Sequence, residues 1–184
     1  MAVAFILLAL APGQLCGSEP SQHDVQFESG DHICYLGNTL ADRMQHHGWL
    51  ETYIHALHPK HQLTFRNLGF SGDEVKTRAR SDNFGSPDQW LTKCQADVVF
   101  CFFGYNESLR SESDLDDFAR DLSAMIDGML ANKYNGNSAP RLVIFSPIAH
   151  ENLNSPHLPD GSKNNRNLER TAQTMRSVCA EKGV

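Results

Sequence analysis

The run Asp97-Val-Val-Phe-Cys-Phe-Phe103 limits most tightly what this chain can become. Six apolar residues in succession leave no polar face, so a strand here must be covered on both sides. The surrounding sequence supplies the covers. Asp114 to Ala131 carries apolar residues at 115, 118, 119, 122, 125, 126, 129 and 130, the spacing of an amphipathic helix. His32 to Leu36, Leu63 to Leu68 and Arg141 to Ser146 are further strand candidates, followed by Gly37, Gly69 and Pro147. Leu40 to Leu57 reads as one helix stopped by Pro59, Asp88 to Cys94 as a short one, and Asn164 to Lys182 as a last one ending at Gly183. Strand–helix alternation predicts an α/β fold, a three-layer α/β/α sandwich on a parallel sheet. The length of 184 residues suits one domain.

Ala2 to Ala11 is an unbroken apolar run, the size of a signal-peptide core and half of a membrane span. Residues 1–18 are therefore expected to be a signal peptide, 19–29 a linker and 30–184 the folded domain. Export to a periplasmic or extracellular location follows, without a stable membrane span. No Lys or Arg precedes the run, so a buried N-terminal strand or helix is the alternative. Cys16 invites a lipid anchor, but the bulky Leu15 opposes it. With 16 Lys+Arg against 22 Asp+Glu the net charge is −6, which argues against nucleic acid as a partner. The cysteines form no C-x-x-C pair, and Cys34 and Cys101 read as small core residues in strands.

In a parallel sheet, ligands bind beyond the carboxyl ends of the strands. The loops starting at Gly37, Gly69, Gly104 and Pro147 therefore carry the candidate site. Gly37-Asn-Thr39 places a hydroxyl at a strand-to-helix turn, either a nucleophile or simply an N-cap, since Thr39-x-x-Asp42 resembles a capping box. Asn67-Leu-Gly-Phe-Ser-Gly-Asp73 spaces two glycines so that main-chain N–H groups can turn toward a ligand, or forms an ordinary tight loop. Gly104-Tyr-Asn106 offers a carboxamide that is either an oxyanion donor or a turn residue. His150 follows the fourth strand as a cleft-lining residue or a competing base. The histidines at 46, 47, 55, 58 and 61 share no helical face and read as solvated, and Arg78 and Arg80 as surface charges.

Together, Gly-Asn-Thr, Asn-x-Gly-x-x-Gly-Asp and Gly-x-Asn-Glu resemble, in order, the first three blocks of the SGNH (GDSL-like) hydrolases. The stretches LGNTLADRMQHHGWLETYI, RNLGFSGDEV, FGYNES and RLVIFSPIAHENL are similar to GDSL-type esterase/lipase proteins of planctomycete-type bacteria. The resemblance implies a flavodoxin-like sheet and ester hydrolysis without a cofactor or metal. It puts Thr39 where the family has serine and Asn38 where it has aspartate. The Thr39 N–H, the Gly72 N–H and the Asn106 carboxamide would form the oxyanion hole, with Asn38 and His150 contacting substrate. Glu107 stands where the family has aspartate and receives no role. The block carrying the family's catalytic histidine, and the last strand before it, are expected beyond Val184, so these 184 residues are expected to be inactive alone. The implied partner is a small-molecule or glycan ester. The alternative is a non-catalytic glycan- or protein-binding module; a nucleotide-binding flavodoxin-like protein lacks a phosphate cradle.

Overall fold

The structure, a computed structural model, describes residues 25–78, 80–111 and 114–184. The signal-peptide expectation for residues 1–18 lies outside them. The elements run β1 (His32–Gly37), α1 (Thr39–Met44), α2 (Trp49–Leu57), β2 (Thr64–Asn67), α3 (Ser81–Phe84), α4 (Pro87–Lys93), β3 (Val98–Phe102), α5 (Leu115–Leu130), β4 (Arg141–Phe145) and α6 (Ser162–Lys182). The four strands form one parallel sheet in the order β2-β1-β3-β4.

Successive side chains of a strand point to opposite faces, so each strand feeds two cores. Cys34 and Leu36 of β1, Val99 and Cys101 of β3 and the following Phe103 meet Leu122 and Ile126 of α5 and Met175 and Val178 of α6. Ile33 and Tyr35, with Val98, Phe100 and Phe102, face the other way against Ala41 of α1 and Ile54 of α2. Every residue of β3 is buried, as its wholly apolar sequence requires. The result is the expected α/β/α layering. No helix among the described residues is long and apolar enough to cross a membrane.

Three expectations change, those for the first helix, its cap and the linker. The helix expected over 40–57 is two helices separated at 45–48, with Gly48 as the N-cap of the second. Thr39 is not an N-cap: Asn38 caps α1, its Oδ1 accepting the Leu40 N–H at 3.2 Å, and Thr39 is the first helical residue. The long loop after β2 contains α3, and α4 opens on a capping box formed by Ser86 and Gln89. Residues 25–28 also do more than link. Val25 and Phe27 pack on the second core, and Arg141 reaches the Gln26 carbonyl at 2.6 Å.

Candidate active site

Three loops leave the carboxyl edge of the sheet side by side because β2, β1 and β3 are neighbours. The first is fixed by Asn38, which is buried and donates its N–H to the Phe102 carbonyl at 3.0 Å. Its side-chain oxygen is engaged in capping, so it supports the turn while lining the cavity described below. Thr39 is exposed beside it, and its hydroxyl has no hydrogen-bond partner among the described residues.

The second loop lies against α1. Asn67 donates through Nδ2 to the Ala41 carbonyl at 2.6 Å, the Phe70 N–H reaches the Gly37 carbonyl at 2.9 Å, and the Ser71 hydroxyl bonds the Asp42 carboxylate. Gly72 follows, exposed and with φ +93°. The third loop closes on the second: Asn106 donates through Nδ2 to the carbonyl of Asp73, next to Gly72, at 3.2 Å. The loops that carry Thr39, Gly72 and Asn106 thus lie side by side on one rim of the sheet, joined through neighbouring residues, with the Asn106 carboxamide bonded to the Asp73 carbonyl.

Glu107, given no role from sequence, holds this arrangement. Its buried carboxylate accepts the Val75 N–H at 2.8 Å and the Gly104 N–H at 3.0 Å, joining the second loop to the third. An acidic residue three positions past the Gly104 N–H, just beyond a buried strand, was the available signal. Burial raises its carboxyl above the usual range, outweighing the main-chain donors. Asp73 is raised by burial as well, against the opposing pull of Arg78 and Arg80. A raised carboxyl contributes stability that is fully present below its unfolded pKa and lost as pH rises through the folded one. The urea midpoint should therefore be higher at about pH 5 than at about pH 8. Glu107→Gln should shrink that difference; an unchanged difference refutes the assignment.

The arginines are not free surface charges. Arg78 lies over the Phe103 ring, 5.0 Å from its centroid, and donates to the Glu74 and Val75 carbonyls at 3.3 and 3.2 Å. Arg80 sits between the rings of Phe70 and Phe84, 4.9 and 4.7 Å from their centroids. Both brace the second loop. Nor are all the histidines simply solvated: His55 packs edge-on to Phe65, and His58 to Phe27 and His61. Among the described residues no group of three or more His, Cys, Asp or Glu is placed to hold a metal.

A cavity of about 420 Å³ opens beside Thr39. Leu40, Phe102, Phe145, Pro147 and Ile148 make much of its wall, and Asn38, Tyr105 and His150 also line it. The fourth loop thereby brings His150 onto the same cavity as Thr39.

The sequence profile of the GDSL-like Lipase/Acylhydrolase family matches residues 30–184. The chain belongs to that family. No curated protein matches its sequence. Among solved structures, this GDSL-like chain is similar to BT4096, a gut microbial diltiazem-metabolizing enzyme, with 19% identity and a TM-score of 0.66 over 88% of this chain. It is also similar to a catalytic mutant of Axe2, an acetylxylan esterase from Geobacillus stearothermophilus, with 13% identity and a TM-score of 0.62 over 86% of this chain. A protein described as a GDSL-like lipase from Parabacteroides merdae gives 16% and 0.62 over 85%. The GDSL-like chain spans 37% of the length of the first, 75% of the second and 76% of the third. At these identities the likeness is one of fold.

Proposed function

We propose that the site hydrolyses carboxylic esters, with Thr39 as nucleophile and the Thr39 N–H, the Gly72 N–H and the Asn106 carboxamide as oxyanion donors. The gathering of these three loops on one rim, in a GDSL-like chain, carries the reading. The Thr39 hydroxyl would attack the ester carbonyl, and the three donors would stabilise the tetrahedral oxyanion. Loss of the alcohol would leave an acyl-threonine ester, which water then hydrolyses. The substrate would be a small-molecule or glycan ester; the acetylxylan esterase neighbour supports the glycan class by analogy. The apolar run at 2–11 supports action outside the cytoplasm.

Such attack needs a base for the hydroxyl proton. Among the described residues no imidazole bonds Thr39, and His150 bonds Tyr105 instead. With no base for the hydroxyl among the described residues, the 184-residue chain is proposed to show negligible turnover. The test is turnover of p-nitrophenyl acetate by the pure chain, together with covalent labelling by a serine-hydrolase probe in a form of the protein that turns over an ester. Turnover abolished by Thr39→Ala would overturn the inactivity of the chain while supporting Thr39 as nucleophile. The added methyl of threonine stiffens χ1 and crowds the hydroxyl, so Thr39→Ser should preserve or raise labelling. Complete loss in Thr39→Ser would make the threonine structural.

A second reading is favoured by the threonine itself: a glycan- or protein-binding module that keeps the cleft without chemistry. It predicts no labelling at Thr39 in any form of the protein, with binding retained.

A further inference from the structure

His150 is held more firmly than a cleft-lining loop residue requires. Asn165, in the first turn of α6, grips its main chain twice, accepting its N–H at 2.7 Å and donating to its carbonyl at 3.0 Å. Gly161, with φ +76°, lies so close that a Cβ there would meet the His150 Cβ at 2.6 Å. The imidazole is stacked on the Tyr105 ring, with centroids 5.7 Å apart and planes at 17°. The Tyr105 hydroxyl and Nε2 are 2.8 Å apart, and Nδ1 faces the Asn164 Nδ2 at 3.5 Å. The third loop, the fourth loop and the start of α6 all converge on this one ring.

The contacts favour one tautomer. A carboxamide nitrogen can only donate, so the Asn164 contact at 3.5 Å favours Nδ1 as acceptor and the proton on Nε2. That proton goes to the Tyr105 oxygen, leaving the Tyr105 hydrogen to donate elsewhere. Around it the cavity is largely apolar, with Leu40, Phe102, Phe145, Pro147 and Ile148. Its volume of about 420 Å³ lies within the range of small-ligand sites, in which a few placed polar groups set orientation.

We propose that Tyr105, oriented by His150, donates a hydrogen bond to a substrate oxygen, and that the cavity takes an apolar chain or ring attached to that oxygen-bearing group. The name ester for that group rests on the proposed function; the pocket and its donor do not. Of the two substrate classes considered above, this selects the small-molecule ester with an apolar substituent over the sugar acetate.

The test uses methyl ketones, which present a carbonyl oxygen but cannot be hydrolysed. Acetone and 2-heptanone are titrated into the 184-residue chain, and dissociation constants are read from amide shifts in NMR spectra. Affinity should rise about fourfold per added methylene, equivalent to ~0.8 kcal/mol. Tyr105→Phe keeps the ring and should weaken both ketones about three- to tenfold, the loss of one hydrogen bond, without changing their ratio. Ala149→Leu, which narrows the cavity from an exposed loop, should lower the ratio and spare acetone. Equal affinity for the two ketones would overturn the proposal. So would unchanged binding in Tyr105→Phe, or a ratio unmoved by Ala149→Leu, which would place binding elsewhere. Covalent labelling at Thr39 in a form of the protein that turns over an ester reports on the ester-hydrolase reading separately, so either can fail without the other.

Discussion

Alanine at position 37 is expected to leave no cooperatively folded protein. Gly37 ends β1 opposite Phe102 of β3 with φ +144°, and a Cβ there would stand 2.2 Å from the Phe102 carbonyl oxygen and 2.8 Å from its carbon. Those atoms are main chain in the middle of the sheet and cannot rotate away. Relief requires parting β1 from β3, which also breaks the bond from the Asn38 N–H to the same carbonyl. Such a change belongs among substitutions costing more than about 4–5 kcal/mol, against a total stability of ~5–15 kcal/mol. Gly72→Ala is the control. It also has positive φ, but open space surrounds its Cβ direction, so strain of about 1–2 kcal/mol is expected. Urea unfolding followed by circular dichroism compares them. A normal transition in Gly37→Ala would show that the contact between the two central strands is loose.

The largest effect on chemistry is expected at Asn106. In a form of the protein that turns over an ester, Asn106→Ala should lower kcat by about 10²–10³, the loss of one oxyanion donor. KM should change little, because the donor acts on charge that develops only in the transition state. The substitution also removes the bond to the Asp73 carbonyl, at a cost of about 0.5–1.5 kcal/mol. The urea midpoint should therefore move slightly while kcat collapses. An unchanged kcat would remove the carboxamide from the mechanism; a collapse of both would make Asn106 mainly a loop brace.

The layers were legible because burial writes itself into composition. A strand with both faces covered must read like 98–103, and a helix on one face must read like 115–130. The break between α1 and α2 was hidden because Leu40, Met44, Leu50, Tyr53 and Ile54 keep nearly helical spacing across it; Gly48 was the available clue. The order of the loops was legible too, since a parallel sheet returns every strand end to the same edge. What each polar side chain does there was not. Asn38 or Thr39 could cap the same helix, and only the path of the chain decided for Asn38. Glu107, Arg78 and Arg80 act on residues of other loops or on main-chain carbonyls of their own, relations that periodicity does not record. The pairing of Tyr105 with His150 spans 45 residues and depends on two loops meeting.

The central place of β1 governs how the protein comes into being. Its inner partner, β3, lies 65 residues further along, as the pairing of Ile33 with Val98 shows. During synthesis at ~5–20 residues per second, β1 waits about 3–13 s for that partner to be made. Throughout that interval its run of Ile33, Cys34, Tyr35 and Leu36 lacks its inner neighbour. Closing so long a span is a slow step in folding. The nascent chain therefore spends those seconds open to capture by chaperones or by other chains, and the rim of loops takes its form when the middle of the sheet shuts.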